Sequence, residues 1–259
     1  MTNPSAALRQ RLVQRARMIG MFSIISSVEV VEMIGIAGFD FVVLDLEHGP
    51  YGIQALGPLI LAARARGIVP IARVRANESA LIGAALDAGA AGVLVPQVTS
   101  AQAARELVGA ARFAPLGRRG VNPWVRAADF TAGPGWFEQT NQSVAVIAMI
   151  EGREGIEALP EILDVPDLDA VFIGPVDLSQ SLGLGLQPEH PTVVETVQEV
   201  VQAAAEKGKA TAVFAPTAAA GRRWLDRGVA CVAVSEDTAV IAAAFRDLLK
   251  QVNTASAAS

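Results

Sequence analysis

Cysteine is almost absent from the chain: Cys231 is the only one in 259 residues. An internal disulfide is thereby excluded, and a reducing, cytoplasmic compartment suits this usage. Cys231 lies in the apolar run Val229–Val234, where a buried thiol behaves as a small hydrophobe rather than a nucleophile. Aromatic residues make up 5% of a chain that is 52% hydrophobic, so the expected core is Ala, Val, Leu and Ile. There are two histidines, His48 and His190, and neither has a second His or Cys nearby, which speaks against a structural zinc site. An excess of positive charge is also missing. The net charge of −5 argues against nucleic acid or an anionic membrane as the main partner. Apolar runs are broken by Asp, Arg, Gly or Pro before membrane length, and Met1–Met18 reads as a polar helix without the apolar region of a leader. No GxGxxG or GxxxxGK[ST] follows any strand-like run, so dinucleotide and P-loop readings have no support. No Pro-, Gly- or Ser-rich linker divides residues 1–259, which read as one domain.

What is present is an alternation. Apolar strand-like runs occur at Ile19–Ser23, Phe41–Leu46, Val69–Val74, Gly92–Pro96, Val144–Ile150, Ala170–Ile173, Ala210–Phe214 and Cys231–Val234. Each is followed by a helical stretch such as Gly52–Arg66, Ser100–Arg112 or Thr192–Lys207. Continuous apolar strands alternating with helices imply a parallel sheet covered on both faces. Eight such repeats fit an α/β fold of the (β/α)8 TIM-barrel type better than an open sheet. Two regions depart from the repeat. Phe113–Gln142 is long and rich in Gly, Pro and Arg, as functional or oligomer-contact connections are. The tail 253–259 is small and polar and is expected to be disordered.

In such a barrel the reactive groups stand at the C-terminal ends of strands. Strand two ends in Asp45-Leu46-Glu47-His48-Gly49-Pro50, strand three in Arg73, strand five in Glu151, and strand six in Gly174-Pro175-Val176-Asp177. Glu151 and Asp177 are hard oxygen ligands suited to Mg²⁺ or Mn²⁺; their structural alternatives are a helix start and a helix cap. His48, an imidazole of the kind that serves in general acid–base catalysis, is a candidate base, oriented by Asp45 or Glu47. His190, in a Pro-flanked loop, is assigned a structural role. Arg73 ends an apolar strand, where a charge must be paired; it pairs Asp45 or Glu47, binds a substrate oxyanion, or does both.

These residues carry a resemblance. FDFVVLDLEHGP, PIARV, GAAGVLVPQV, GRRGV, IEG and FIGPVDLSQSLG, running from about Gly20 to Val234, resemble the HpcH/HpaI aldolases, class II metal-dependent pyruvate aldolases. The resemblance implies a barrel of the phosphoenolpyruvate/pyruvate type with an exchanged C-terminal helix, here about Thr238–Gln251, and a homohexamer. It implies a divalent cation (Mg²⁺, Mn²⁺ or Co²⁺) on Glu151 and Asp177. Arg73 would stabilise the enolate oxygen, and His48, paired with Asp45, would manage the proton. Backbone N–H groups around Gly174, Pro175, Val176 and Asp177 would hold the donor carboxylate, with Phe22 and Phe214 walling the pocket. The partners implied are a small 2-oxo acid, pyruvate or hydroxypyruvate, and an aldehyde. No lysine lies in the strand-end motifs, which speaks against a Schiff-base aldolase. The sequence departs from the family pattern at Met149, where Gln is common, at Gln97, and at Asn122-Pro123-Trp124. These differences are expected to bear on the acceptor side, because that loop and its neighbours shape it.

Two other readings follow from the same residues. An acyl-CoA carbon–carbon lyase of the citrate-lyase type would use Arg118, Arg119 and Arg126 as a basic groove for CoA phosphates. A barrel that binds metal without catalysis would serve assembly or sensing; the complete set of Asp45, His48, Arg73, Glu151 and Asp177 counts against it.

Overall fold

The computed structural model describes residues 4–255. The predicted eightfold alternation folds into a (β/α)8 barrel. Its strands are β1 (Met18–Ser23), β2 (Phe41–Asp45), β3 (Val69–Arg73), β4 (Gly92–Val95), β5 (Ala145–Ile150), β6 (Ala170–Ile173), β7 (Ala210–Ala215) and β8 (Cys231–Glu236). All are parallel, and they close in sequence order with β8 back on β1. Helix α1 (Pro4–Val13) precedes the barrel, and α2 (Val28–Ile36), α3 (Leu56–Ala65), α4 (Ser79–Asp87) and α5 (Ala101–Ala111) follow the first four strands. Helix α6 (Trp136–Ser143) leads into β5, which is followed by α7 (Arg153–Glu157) and α8 (Leu159–Leu163). The last repeats carry α9 (Pro175–Ser181), α10 (Pro191–Glu206), α11 (Ala218–Asp226) and α12 (Asp237–Ala255). Among the described residues no helix is long and apolar enough to cross a membrane.

The strands read as unbroken apolar runs because both of their faces are covered. Every residue of β2 through β6 is buried. Along β2, Phe41 and Val43 pack inside the barrel, while Val42 and Leu44 pack against the helical layer. Helix starts are fixed locally: Ser27, Ser100 and Thr217 each accept the N–H three residues on, contributing about 1 kcal/mol apiece. His190 does the same for α10, its Nδ1 accepting the Thr192 N–H at 3.2 Å with Pro191 at the first helical position. This gives it the structural role expected.

The N-terminal mouth of the barrel is closed by α1. Leu8 and Leu12 are 0% and 2% exposed and pack in the interior layer that includes Met18, Phe41, Ile71 and Cys231. Burial pushes the Cys231 thiol up to about 12, so it stays protonated. Leu8→Ala is expected to destabilise the fold by about 2–5 kcal/mol through a cavity at this mouth, read as a lower urea midpoint with an unchanged slope. An unchanged midpoint would show that α1 contributes nothing to closing the barrel.

Two expectations are corrected. The N-terminal helix, predicted over 1–18, stops at Val13, and Arg15 adopts a left-handed φ of +50° as the chain turns into β1. The tail 253–259 is helical as far as Ala255, continuing α12, and residues 256–259 lie outside the described residues. The connection 113–142 links α5 to β5, and its Arg126 reaches the first turn of α3, where a Cβ on Gly57 would lie 3.7 Å from Arg126 Nε. It follows a helix and precedes a strand, so it starts and ends on the N-terminal face. Its root is held by Arg112, fully buried, which donates to Asn141 O and Val144 O at 3.0 and 2.6 Å and pairs with Asp169 at 2.7 Å.

Candidate active site

The C-terminal end of β2 carries Asp45, paired in register with Arg73 on β3. Asp45 is fully buried and Arg73 is 7% exposed. The guanidinium meets the carboxylate as a fork, Nε to Oδ1 at 2.8 Å and Nη2 to Oδ2 at 2.6 Å. Burial alone works against the Arg73 charge, but Asp45, Glu47 and Glu151 outweigh it and hold its pKa above the ordinary value. Its third nitrogen, Nη1, lies 3.1 Å from Glu47 Oε2 and 3.9 Å from the Met149 sulfur, and the Phe22 ring lies beneath the guanidinium at 4.8 Å.

This arrangement corrects the expected pairing of Asp45 with the His48 imidazole. Both Asp45 oxygens are taken by Arg73, and Oδ1 additionally accepts the backbone N–H of Glu47 at 3.0 Å and of His48 at 3.4 Å. Asp45 therefore shapes the turn that presents His48 and leaves the imidazole free and exposed to the site. Gly49 makes that turn possible, since a Cβ there would sit 2.1 Å from the Asp45 carbonyl. Arg75 braces the loop from outside, donating to Leu46 O and Tyr51 O, and the Tyr51 hydroxyl donates to Ser23 O at 3.0 Å.

Glu151 follows β5 and is half-buried. Its Oε1 accepts the Gln97 N–H at 2.9 Å, presented by a left-handed φ of +54°. Burial, and then the neighbouring Asp177 and Glu47, push its carboxyl up to about 7. Gly174, at the end of β6, lets Glu151 lie against its backbone: a Cβ would meet Met149 Cε at 2.9 Å and Glu151 Oε2 at 3.3 Å. Asp177 stands in the first turn of α9.

Two adjoining cavities open here. One, about 220 Å³, is lined by Phe22, His48, Arg73, Met149 and Asp177 near the paired strands, with Gly174, Val176, Phe214 and Glu236 completing the wall. The other, about 350 Å³, takes in Glu47, His48, Gln97, Glu151 and Asp177. His48 and Asp177 face both. Of the predicted residues, Asp45 lies beneath the cavities, and Pro175 lines neither and has no N–H to give. Gly174 gives its N–H to Ile150 O at 3.4 Å, so the donors of this turn left for a ligand are those of Val176 and Asp177. Met149 and Gln97, noted in the sequence only as departures, border the site. Glu236 was missed.

The donor set fits a divalent cation. Glu151 and Asp177 supply hard oxygens from adjacent strand ends, and their mutual repulsion calls for positive charge. Glu47 Oε2 is buried and, though in ionic contact with Arg73, has no aligned hydrogen-bond donor among the described residues. Among those residues no cluster of three or more His, Cys, Asp or Glu has the geometry of a closed site. Two protein ligands leave open positions, as a substrate-binding cation requires. By contrast, the basic groove needed for CoA is not formed at this site. Arg119 is buried, paired with Asp87 and stacked on Phe113, Arg126 lies over Phe130, and neither they nor Arg118 line the two cavities. Nor does any other residue of 113–142 line them.

Known proteins resemble this chain over most of its length. Residues 18–244 match the family described as HpcH/HpaI aldolase/citrate lyase. The 5-keto-4-deoxy-D-glucarate aldolase of Escherichia coli O157:H7 is 35% identical over 243 residues, covering 94% of this chain and 93% of that one. A solved HpcH/HpaI aldolase/citrate lyase family protein from Burkholderia cenocepacia superposes with a TM-score of 0.91 at 32% identity, over 96% of this chain and 99% of its own. The citrate synthase SbnG superposes with a TM-score of 0.84 at 33% identity, over 96% and 97%. The chain belongs to the HpcH/HpaI aldolase/citrate lyase family of carbon–carbon lyases.

Proposed function

We propose that this protein is a divalent-metal-dependent class II aldolase that reversibly cleaves 4-hydroxy-2-oxo acids to pyruvate, or hydroxypyruvate, and an aldehyde. The observation that carries the reading is the placement of Arg73, Glu151, Asp177 and His48 around two joined cavities, a cationic edge facing a carboxylate pair with a titratable imidazole between. A cation held by Glu151 and Asp177 would supply Lewis-acid stabilisation of charge on the keto oxygen. Arg73, fixed by Asp45, directs Nη1 at the same developing charge, so it binds the enolate more strongly than the ketone. In the cleavage direction His48 accepts the proton of the C4 hydroxyl. The C4–O electrons form the aldehyde carbonyl as the C3–C4 bond breaks, and that bond's electrons pass to the keto oxygen. The enolate then takes a proton at C3 to give pyruvate. Val176 and Asp177 N–H groups hold the donor carboxylate beside Gly174 and Pro175. Phe22 and Phe214, stacked edge to face at 5.7 Å, keep the pocket wall apolar.

We further infer that the chain acts as a single cytoplasmic domain within a homo-oligomer. Val240, Phe245, Leu248, Leu249 and Val252 of α12 are all exposed, a stripe the described residues leave uncovered and a helix exchanged between barrels would bury.

The test needs no knowledge of the aldehyde. Pyruvate methyl protons are expected to exchange with solvent deuterium, followed by NMR, when Mg²⁺ or Mn²⁺ is added, and to stop exchanging in the presence of a chelator. Exchange that persists undiminished with chelator excludes the metal role; no exchange under any condition excludes pyruvate as the donor.

A further inference from the structure

The wall of the smaller cavity farthest in sequence from the motifs is made by Glu236, at the C-terminal end of β8. The strand would not present this side chain if it were regular. Gly20 pairs with Ala233 and Phe22 with Glu236, so β8 carries one more residue than β1 across the same span. The bulge is built around Ser235, a non-glycine residue at a left-handed φ of +59°. Bulges re-aim side chains, and strain of this kind persists only where the surroundings hold it. Here the holding group lies two residues on. Asp237 is buried and accepts the Ser23 hydroxyl at 2.9 Å and the N–H groups of Ile24, Ile25 and Thr238 at 3.0, 3.1 and 2.7 Å. Thr238 then donates its hydroxyl to Glu236 Oε1 at 3.1 Å, orienting the carboxylate.

Among the described residues no Lys, Arg or His pairs with Glu236, and the Thr238 hydroxyl is its only hydrogen-bond donor. The one guanidinium on the cavity wall, that of Arg73, pairs with Asp45 and Glu47 and not with Glu236. A half-buried acceptor with a vacant oxygen, on a wall shared with Phe22 and Phe214, suits a ligand that brings O–H donors and disfavours one that brings a second negative charge.

We propose that Glu236 selects the aldehyde: its carboxylate accepts hydroxyl groups of a neutral hydroxyaldehyde and turns away an aldehyde that ends in a carboxylate. The preferred cleavage substrate is then a 4-hydroxy-2-oxo acid with one carboxylate rather than two, unlike the dicarboxylate for which the 5-keto-4-deoxy-D-glucarate aldolases are named. The inference rests on the aldolase reading above. It is tested by the ratio of kcat/KM for glyceraldehyde to that for tartronate semialdehyde, which differ in a terminal CH₂OH against COO⁻. Both are measured with pyruvate on the metal-loaded full-length enzyme. Wild type is expected to favour glyceraldehyde about tenfold or more, and Glu236→Gln, which keeps the shape and removes the charge, to move the ratio toward the semialdehyde by about tenfold or more. Because the readout is a ratio within one preparation, a general loss of activity does not mimic it. A wild-type preference for the semialdehyde, or a ratio unmoved by Glu236→Gln, overturns the role of Glu236 while pyruvate methyl exchange in the wild type still stands. Absence of that exchange in the wild type overturns the aldolase reading and this inference with it.

Discussion

Arg73→Ala is expected to slow metal-dependent exchange of the pyruvate methyl by on the order of 10²–10³, and to destabilise the protein in the same stroke. The kinetic part follows from losing one preorganised donor at the oxygen where charge develops. The stability part follows from Asp45. That carboxylate is fully buried, and the guanidinium supplies its two short contacts of 2.8 and 2.6 Å. Without it, Asp45 keeps only two backbone N–H groups, at 3.0 and 3.4 Å. Breaking a buried pair by removing one partner costs about 3–5 kcal/mol, because the remaining charge is left uncompensated. Arg73→Lys separates the two effects: it restores positive charge against Asp45 but not the fork that also reaches toward the cavity. Its urea midpoint is expected to lie between those of wild type and Arg73→Ala, with exchange still slow. Exchange at the wild-type rate in Arg73→Ala removes Arg73 from the reaction, and an unchanged urea midpoint removes the Asp45 pair from the stability argument.

The parts of this site legible in the sequence are those that depend only on where a strand ends. Glu151 and the Gly174–Asp177 turn follow apolar runs closely enough that a barrel reading places them on one face without knowing any contact. What the sequence hides is non-local. The partner of Asp45 is decided by the register that sets it beside Arg73, and nothing in either segment alone excludes His48. Gln97 reaches Glu151 through its backbone, so its side-chain identity carries no signal. Glu236 was hidden because the apolar run ends at Val234 and the bulge carries the strand two residues further. The acidic pair Glu236-Asp237 immediately after that run was the available clue, by the same logic that picked out Glu151.

Glu151→Gln and Asp177→Ala are expected to remove the rise in melting temperature that Mg²⁺ or Mn²⁺ gives the wild type, and to lower metal-dependent exchange by on the order of 10³ or more. A cation that binds only the folded chain stabilises it by about 2.7 kcal/mol at a hundred times its Kd, and the proposed site draws that binding from both carboxylates. The two variants differ informatively without metal. Glu151 is half-buried among like charges, Asp177 and Glu47, so an isosteric neutral side chain that still accepts the Gln97 N–H relieves repulsion at little cost in packing. Metal-free Glu151→Gln is therefore expected to melt at or slightly above metal-free wild type. Asp177 is more exposed, and its replacement is expected to leave the metal-free melting temperature within a degree or so, on the order of a surface substitution. A variant that is as stable as wild type without metal, yet indifferent to added metal and inactive in exchange, separates a lost ligand from a damaged fold. If either variant retained the full metal-dependent shift, that carboxylate would not be a ligand, and Glu47, whose buried Oε2 lacks an aligned donor, would be the next to replace.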